Sequence, residues 1–451
     1  MIGKAKYRQH LVKNKMKERV PFSNLHTAEK IGQRLVQSAV WHNGRCTWTG
    51  DDVKLVNDEW QVFHQTVDPF LYSGTAGIAL FLLLCHEQTG GQGMRRTAIG
   101  AIRQSLYLVE AHHDAEVLLG LHDGLTGIAL VALAAGNRLK EPVLITAGQA
   151  LVDKVCTFLK TGREEIAVDF ISGAAGIITG LLQIAGITND RSLYRVCEKV
   201  ADQLLGKAHQ TRYGIYWPEE GLPRDDIGLC GMAHGNSGIA YAFMELATAT
   251  GNTLYMKTAA QSLVYERSWF HPGESNWPDN RGPDETRTPV VDQELVYPLY
   301  WCHGAPGIGL ARLRAYQLTG DPLFLAEATA ALHASSRHAK RILAEARKKR
   351  RPAPEVNMSV CHGLGSIIEL FVYASTVLGN EDFYRRASSI GAFSAQVSVW
   401  ENGKWRCGIQ DGGEAPGLML GLAGIGCAYL QLHNPVGMQP LGLMNLAADY
   451  C

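Results

Sequence analysis

Residues 301–308, which read WCHGAPGI, join a Cys-His-Gly triplet to a Gly-x-x-Gly motif and lead into an apolar segment. The Gly-x-x-Gly motif recurs at Gly74/Gly77, Gly124/Gly127, Gly173/Gly176, Gly235/Gly238, Gly304/Gly307 and Gly421/Gly424. A seventh copy begins at Gly363 and has Ser366 in place of its second glycine. Successive copies are 50, 49, 62, 69, 59 and 58 residues apart. Self-similarity at such a long period is typical of a repeat array or a closed ring.

Each glycine motif is followed by an apolar stretch that predicts a helix. Three of these stretches end in a similar way, at Thr250-Gly251-Asn252, Thr319-Gly320-Asp321 and Leu378-Gly379-Asn380. Glycine is a natural residue just past a helix C-terminus, and the Asn or Asp after it can cap the next helix. One repeat is therefore predicted to be a glycine turn, an apolar inner helix, a capped turn and an amphipathic outer helix.

Seven such hairpins with apolar inner helices are best buried as two concentric rings, so we predict an all-α fold, an α/α toroid. An open solenoid is the alternative, but it would expose its terminal inner helices unless both were capped. Short strand-like pieces near residues 45–48, 214–217 and 404–407 are expected to be loop hairpins. We assign residues 1–30 to a basic N-terminal arm and residues 31–451 to the toroid domain.

The composition excludes several classes of protein. Hydrophobic residues make up 46% of the 451 and charged residues 19%, which excludes wholesale disorder. Lys+Arg and Asp+Glu are both 43, a balance that favours neither nucleic acid nor membrane as a partner. The chain has no uninterrupted apolar run of membrane length and no signal peptide, and its ten cysteines are scattered. We therefore expect no integral membrane segment, reduced thiols and a cytoplasmic location.

The residues just before each glycine turn should lie together at one end of the toroid. Position −2, two residues before the first glycine, holds Tyr72, His122, Ile171, Ala233, Cys302, Cys361 and Met419. Position −1 holds Ser73, Asp123, Ser172, His234, His303, His362 and Leu420. Thiolate and imidazole are the ligands that Zn²⁺ prefers, and the two Cys-His-Gly triplets fall in consecutive repeats. We predict that these triplets meet at one metal ion.

Other polar residues at this end have two interpretations each. His234 lies in Gly231-Met232-Ala233-His234-Gly235, and we favour a chemical role for it. Asp169, four residues before Gly173, is more simply explained as an N-terminal helix cap. His122, His303 and Asp123 remain open between a functional and a structural role.

These motifs resemble the lanthionine synthetase C-like cyclases, including the C-terminal cyclase domains of bifunctional lanthipeptide synthetases. The resemblance covers residues 31–450, and its most specific part is the pair of Cys-His-Gly triplets. It implies a seven-repeat toroid with one Zn²⁺ ion held by Cys302, Cys361 and His362. It also implies that His234 is the acid/base residue, that Asp169 is a second catalytic polar group, and that His303 lies near the substrate.

The reaction that the resemblance implies is thioether formation within a ribosomally made, dehydrated precursor peptide. A substrate thiol bound at zinc would add, as a thiolate, to dehydroalanine or dehydrobutyrine. His234 would then protonate the α-carbon or accept the thiol proton, and Asp169 would orient an imidazole or a substrate amide.

Two features set this chain apart from other patterns in the family. The stretch before the first repeat is too short for a dehydratase, so we expect a free-standing cyclase with a separate dehydratase as its partner. The ligand set has two cysteines and one histidine, and not three cysteines. Because fewer thiolates put less negative charge on the metal, we expect a less nucleophilic bound thiol.

Three other functions compete with cyclisation. A lanthionine synthetase C-like protein can instead add glutathione to dehydroamino acids in proteins. A zinc-stabilised scaffold that binds peptides without turnover is the second alternative. The third, a toroid of the prenyltransferase β-subunit type, ranks low because its zinc set includes a carboxylate.

Two segments are candidates for substrate or partner contact. Residues 347–351, all Lys or Arg, are most simply a solvated helix end, and otherwise a dock for an acidic leader peptide or partner enzyme. The basic arm has the same two interpretations. The loop 271–291, which precedes the first triplet, is expected to border the substrate groove.

Overall fold

The computed structural model describes residues 23–56, 59–111, 118–161, 166–218, 227–281, 295–348, 356–397, 399 and 403–447. Within them the chain forms fourteen α-helices in two rings. The inner helices are α2 (Thr75–Thr89), α4 (Leu125–Leu139), α6 (Ala174–Thr188), α8 (Asn236–Thr250), α10 (Ala305–Thr319), α12 (Leu364–Leu378) and α14 (Leu422–His433). The outer helices are α1 (Asn24–Ser38), α3 (Gln92–Ala111), α5 (Pro142–Thr161), α7 (Ser192–Gly206), α9 (Thr253–Arg267), α11 (Pro322–Lys348) and α13 (Glu381–Val397).

The inner ring is closed. Each inner helix contacts the next, and α14 contacts α2. Backbone N–H to C=O hydrogen bonds also link the turns around the circle: Tyr72 to His122, His122 to Ile171, Phe170 to Ala233, Ala233 to Cys302, Trp301 to Cys361, Cys361 to Met419, and Met419 to Tyr72. An open solenoid would lack the last of these bonds, so the predicted α/α toroid is confirmed.

The two rings differ because their helices differ in pattern. Inner helices such as α6 are apolar on all sides and almost wholly buried, whereas outer helices such as α7 bury a single face. Gly251, Gly320 and Gly379 end α8, α10 and α12 with φ of 73°, 70° and 62°. These are the predicted helix ends, and the left-handed backbone there favours glycine.

The second glycine of the motif is required by a close backbone approach. At Gly307, a Cβ atom would overlap the carbonyl oxygen of Trp301, and at Gly127 it would overlap that of Leu121. The turn before each inner helix therefore folds back onto the first turn of that helix. A side chain at this position would push the turn, and the residues it carries, out of place.

The outer helix of the seventh hairpin comes from the other end of the chain. The sequence predicts that each outer helix follows its inner helix, yet α1 fills this place after α14, and it contacts α14, α2 and α13. Ser23 caps α1 by accepting a hydrogen bond from the His26 amide. The helix begins at Asn24, inside the stretch assigned to the basic arm, of which residues 1–22 lie outside the described residues.

Short antiparallel hairpins decorate the ring, as predicted near residues 45–48, 214–217 and 404–407. Near residues 45–48, β1 (Val40–His42) pairs with β2 (Arg45–Thr47). Near residues 214–217, β5 (His209–Thr211) pairs with β6 (Gly214–Tyr216). A single bridge joins Val399 to Trp405. The longer pair of β3 (Thr49–Val56) with β4 (Glu59–Thr66) was not predicted.

The segment near the C-terminus packs against the inner helices. Leu441–Leu443 forms a 3₁₀ turn whose residues are buried. The Glu369 carboxylate on α12 accepts hydrogen bonds from the amides of Leu441 at 2.9 Å and Gly442 at 3.0 Å. The Trp301 indole N–H donates to the Gly442 carbonyl at 3.0 Å. This segment therefore supports the residue that precedes Cys302.

Helix α5 is the one described helix whose length and composition would suit a membrane span. It is an outer helix that contacts α4 and α7. Its polar residues include Asp153 and Lys154. A single helix of this kind is weak evidence for a membrane segment, because apolar core helices of soluble proteins satisfy the same criteria.

Candidate metal centre and acid–base pair

Two sulfurs and one imidazole meet at the end of the toroid that carries the glycine turns. The ligand-type atoms of Cys302, Cys361 and His362 all lie within 4.8 Å of one another. Both cysteines are buried, and His362 is half-buried. The two triplets contain four cysteine and histidine side chains. The structure brings three of them together and places the fourth, His303, elsewhere.

The backbone holds the two triplets in register. The Trp301 amide donates to the Cys361 carbonyl at 2.9 Å, so the two cysteine turns are direct neighbours in the ring. Gly304, which follows the first triplet's histidine, has φ of 94°, a conformation that favours glycine. On the other side, Ser359 Oγ accepts a hydrogen bond from the His362 amide at 3.3 Å.

The donor set fits a divalent cation. The hydrogen bond to Cys361 and burial raise the pKa of the Cys302 thiol well above its usual value. A cation would favour the thiolate forms of these same sulfurs, and the N-termini of α10 and α12 directly behind them act in the same direction. Two thiolates and one imidazole, with a fourth position open, form a known type of catalytic zinc site.

His234 and Asp169 form a hydrogen-bonded pair beside these residues. His234 Nδ1 lies 2.6 Å from Asp169 Oδ2, and 29% of the His234 side chain is exposed against 8% for Asp169. Burial raises the pKa of Asp169, but the hydrogen bond and charge of His234 and the amides of Ser172 and Gly173 outweigh it and leave the pKa below its usual value. The carboxylate is therefore ionised at neutral pH.

The two carboxylate oxygens of Asp169 have different partners, one in the glycine turn before α6 and the other on His234. Its Oδ1 accepts hydrogen bonds from the amides of Ser172 at 2.8 Å and Gly173 at 2.9 Å, which caps the glycine turn before α6. Its Oδ2 holds the His234 imidazole. Because an ionised carboxylate only accepts hydrogen bonds, Nδ1 of His234 carries the proton, and in the neutral form of the ring the lone pair is on Nε2.

His303 is buried next to His234. The two rings stack with centroids 6.0 Å apart and planes 20° apart. Burial and the charge of Arg281 lower the pKa of His303 to about 3, so this imidazole is neutral. Its Nδ1 lies 3.2 Å from the Cys230 carbonyl oxygen and must donate the proton there. The structure thus places His303 against the hydrogen-bonded pair of His234 and Asp169.

Other residues at this end have structural partners. His122 is buried among the rings of Tyr72, Phe170 and Trp301. The Asp123 carboxylate accepts a hydrogen bond from Ser172 Oγ at 2.5 Å, and it does not cap α4. The structure therefore favours the structural interpretation of both.

Part of the loop 271–291 borders the site, whereas residues 282–291 lie outside the described residues. Arg281 forms a two-point ion pair with Asp279, at 3.0 and 2.7 Å, and both charges act on His303. Asn280 accepts a hydrogen bond from the Cys230 amide at 3.2 Å. The sequence pattern predicted the loop's position but gave no signal for these three residues.

An open groove lies close to the metal cluster. Its lining residues are Glu274, Tyr297, Pro298, Leu299, Tyr300, Ala334, Arg337, His338 and Arg341. The Tyr300 ring is 5.2 Å from the His362 ring, so one residue of the groove wall lies next to a candidate ligand. Of the basic run 347–351, Arg347 stacks on Phe393 at 4.7 Å, and residues 349–351 fall outside the described part of the chain.

Comparisons with known proteins agree with the toroid fold. The family model described as "Lanthionine synthetase C-like protein" matches residues 65–439. The lacticin 481/lactococcin biosynthesis protein LcnDR2 of Lactococcus lactis subsp. lactis is 26% identical over 204 residues, 44% of this chain and 20% of that protein. The match thus spans about a fifth of that relative's length. The solved structure of nisin cyclase aligns with a TM-score of 0.63 at 17% identity, over 85% of this chain and 94% of that one, which shows a shared fold.

Proposed function

The chain belongs to the lanthionine synthetase C-like family, and from that premise we propose that it is a zinc-dependent lanthipeptide cyclase. In the proposed reaction, a peptide cysteine thiol adds to dehydroalanine or dehydrobutyrine in the same peptide and forms a (methyl)lanthionine ring. The observation that carries the proposal is the meeting of Cys302, Cys361 and His362 within 4.8 Å, beside a hydrogen-bonded imidazole–carboxylate pair.

Cys302, Cys361 and His362 are the residues that would hold the zinc ion. When bound, zinc would lower the pKa of a coordinated substrate thiol so that it reacts as a thiolate. The chain's own contribution is to bury two of the three ligands, since electrostatic interactions are stronger where water is excluded.

His234 would carry the proton. The Nε2 lone pair of the neutral ring accepts the proton that the substrate thiol loses, and Asp169 stabilises the imidazolium that results. After the sulfur has bonded to the β-carbon, the same nitrogen returns the proton to the α-carbon. One hydrogen moves from sulfur to carbon, the double bond becomes single and nothing leaves, so the product has the mass of the substrate.

His303 would position this proton carrier. Its neutral ring stacks on His234 without adding a second positive charge to the site. Its hydrogen bond to the Cys230 carbonyl fixes the plane of the ring and, through stacking, limits the rotation of His234. We assign His303 to orientation and not to proton transfer.

The substrate implied by this chemistry is a peptide that already contains dehydroamino acids. Their formation removes water from Ser or Thr, and we propose that a separate dehydratase does this. We propose that the peptide lies in the groove beside Tyr300, whose ring is 5.2 Å from the His362 ring.

The test follows free thiols in a dehydrated peptide that contains one cysteine. After incubation with the zinc-loaded protein, the peptide is alkylated with N-ethylmaleimide and weighed by mass spectrometry. We expect the unalkylated mass to accumulate, and to do so far more slowly with His234→Ala. His86→Ala is the matched control, since His86 lies in the last turn of α2, at the far end of an inner helix.

Two outcomes would contradict cyclisation. Full alkylation after prolonged incubation would show that no ring forms. A glutathione adduct that appears when glutathione is added, with the internal cysteine still alkylated, would favour the glutathione-adding alternative.

A further inference from the structure

The turn that carries His234 is held at both ends by one buried side chain. Glu266, near the end of α9, accepts hydrogen bonds at Oε1 from the amides of Gly231 at 2.8 Å and Ser237 at 3.2 Å. Gly231 and Ser237 lie three residues before and three residues after His234. A carboxylate on the outer ring thus closes the inner-ring turn that presents the imidazole.

The other carboxylate oxygen of Glu266 connects this turn to α10, the helix that follows Cys302. Oε2 accepts hydrogen bonds from Ser237 Oγ at 2.5 Å and from Arg312 Nη2 at 2.9 Å. Arg312 also donates through Nη1 to Ser237 Oγ at 3.2 Å. The four donors on Glu266 fill the acceptor positions of an ionised carboxylate, so the turn is tied to α10 as well as to α9.

The network around Glu266 is buried and balanced in charge. Glu266 and Arg312 are both 0% exposed. Arg312 Nε also donates to Glu327 on α11, and Glu327 pairs with Arg267 on α9, so two carboxylates meet two guanidinium groups. Buried ion pairs often contribute little net stability, because the cost of removing charges from water offsets their attraction. Their directed hydrogen bonds instead supply a fixed geometry around the His234 turn.

Close backbone contacts make the position of this turn critical. Gly231 has φ of 119°, and a Cβ atom there would overlap the carbonyl oxygen of Cys302. The Ala233 amide donates to the same carbonyl at 3.2 Å. A displaced turn would lose this alignment and would carry His234 away from Asp169, whose Oδ2 lies 2.6 Å from the Nδ1 atom of the imidazole.

We propose that Glu266 is a positioning residue for His234, which it holds against Asp169 through its hydrogen bonds to the turn. Arg312 keeps the carboxylate in the orientation that this requires. The inference rests on the proposed role of His234 in proton transfer and adds the group that orients the whole turn. Since a misplacement of about 1 Å can cost about 100-fold in rate, Glu266 can control catalysis without touching the peptide.

The test compares Glu266→Gln with Glu245→Gln. Glutamine has one acceptor oxygen, and donors lie on both sides of the Glu266 carboxylate, so the new NH₂ group faces a donor in either orientation. The control breaks another ion pair between α8 and α10, in which Glu245 binds Arg314 at 2.6 and 3.0 Å near the C-terminal end of α8. Circular dichroism first establishes that each variant is folded at the assay temperature.

The first readout requires no turnover. The proton on His234 Nδ1, 2.6 Å from the Asp169 carboxylate, should give a low-field ¹H NMR signal, which is assigned by its loss in His234→Ala. We expect this signal to disappear in Glu266→Gln and to persist in Glu245→Gln. The second readout is cyclisation, in which kcat should fall by about 100-fold in Glu266→Gln while KM stays near the wild-type value. Glu245→Gln should match the wild type in both.

A low-field signal that persists in Glu266→Gln, or an equal loss of kcat in both variants, would overturn the proposal. If Glu266→Gln does not fold, Ser237→Ala takes its place, because it removes the hydroxyl that joins Oε2 to Arg312. The signal should then weaken, and an unchanged signal would equally overturn the proposal. If the signal responds as expected but the wild type forms no ring, the cyclase function would be refuted and the positioning role of Glu266 would stand.

Discussion

Replacing Asp169 with Asn preserves the shape of the side chain and removes its negative charge. Asn Oδ1 can still accept the hydrogen bonds from the Ser172 and Gly173 amides, which now bind Oδ1 at 2.8 and 2.9 Å. The turn before α6 should therefore keep its cap. The other carboxylate oxygen, Oδ2, lies 2.6 Å from His234 Nδ1. In the Asn variant an NH₂ group replaces this oxygen.

Two effects on His234 follow. An NH₂ group cannot accept a proton from Nδ1, so the imidazole protonates on Nε2 instead and loses the lone pair that would face the substrate. The imidazolium also loses a charge-assisted hydrogen bond, worth about 1.5–3 kcal/mol. At about 1.4 kcal/mol per factor of ten, that bond alone predicts a fall in kcat of about 10- to 150-fold.

The assay is initial-rate cyclisation of a dehydrated peptide, with zinc content measured in parallel. We expect KM and zinc content to stay near the wild-type values while kcat falls. Asp123→Asn is the matched control, because this carboxylate belongs to the neighbouring turn and accepts its hydrogen bond from Ser172 Oγ. A kcat for Asp169→Asn within about twofold of the wild type would refute the assignment of His234 as the proton carrier.

Three further changes test separate parts of the structure. Gly307→Ala, whose Cβ would overlap the Trp301 carbonyl, should lower the free energy of unfolding by more than about 3 kcal/mol in urea denaturation, whereas Gly206→Ala, with no atom within 4 Å of the new Cβ, should have little effect. Burial raises the pKa of Glu369 from 4.5 to about 7 despite its two amide hydrogen bonds. Between these two pH values the folded state binds more protons than the unfolded state, so the free energy of unfolding should fall as pH rises from 4.5 to about 7. Glu369→Gln should remove up to about 3 kcal/mol of that change. His303→Phe keeps an aromatic ring against His234, so kcat should fall by less than about tenfold, and a larger loss would show that the His303 nitrogens take part in proton transfer.

The repeat pattern accounts for most of what the sequence could predict. The spaced glycines predict the inner helices because six of the seven turns have a residue without a Cβ where the carbonyl of Trp301 or its equivalent approaches the helix. The ends of α8, α10 and α12 are equally local, since Gly251, Gly320 and Gly379 adopt left-handed conformations. Local rules of this kind can be recognised in the sequence alone.

Long-range features could not be predicted in the same way. Helix α1 completes the seventh hairpin from the opposite end of the chain, and no periodicity connects Asn24–Ser38 with α14. The hydrogen bond from the Met419 amide to the Tyr72 carbonyl depends on ring closure, because the two residues are far apart in sequence and meet only when the first repeat follows the seventh. Arg281 and Asp279 act on His303 from a loop without any recognisable motif.

Asp169 shows which details of a side chain's contacts the sequence leaves open. The sequence pattern favoured a helix cap, whereas the family resemblance implied a catalytic group. In the structure each carboxylate oxygen has its own partners, the turn amides for Oδ1 and His234 for Oδ2. Sequence spacing alone could not separate the two roles because it does not resolve individual oxygens.

Metal analysis of the purified protein would test most directly whether Cys302, Cys361 and His362 share one cation. The wild type, purified without chelators, should contain about one zinc ion per chain by inductively coupled plasma mass spectrometry. Cys302→Ser and Cys361→Ser should contain almost none, while their far-UV circular dichroism stays helical. Wild-type protein without zinc, or serine variants that retain it in full, would contradict the metal centre on which the cyclase mechanism depends.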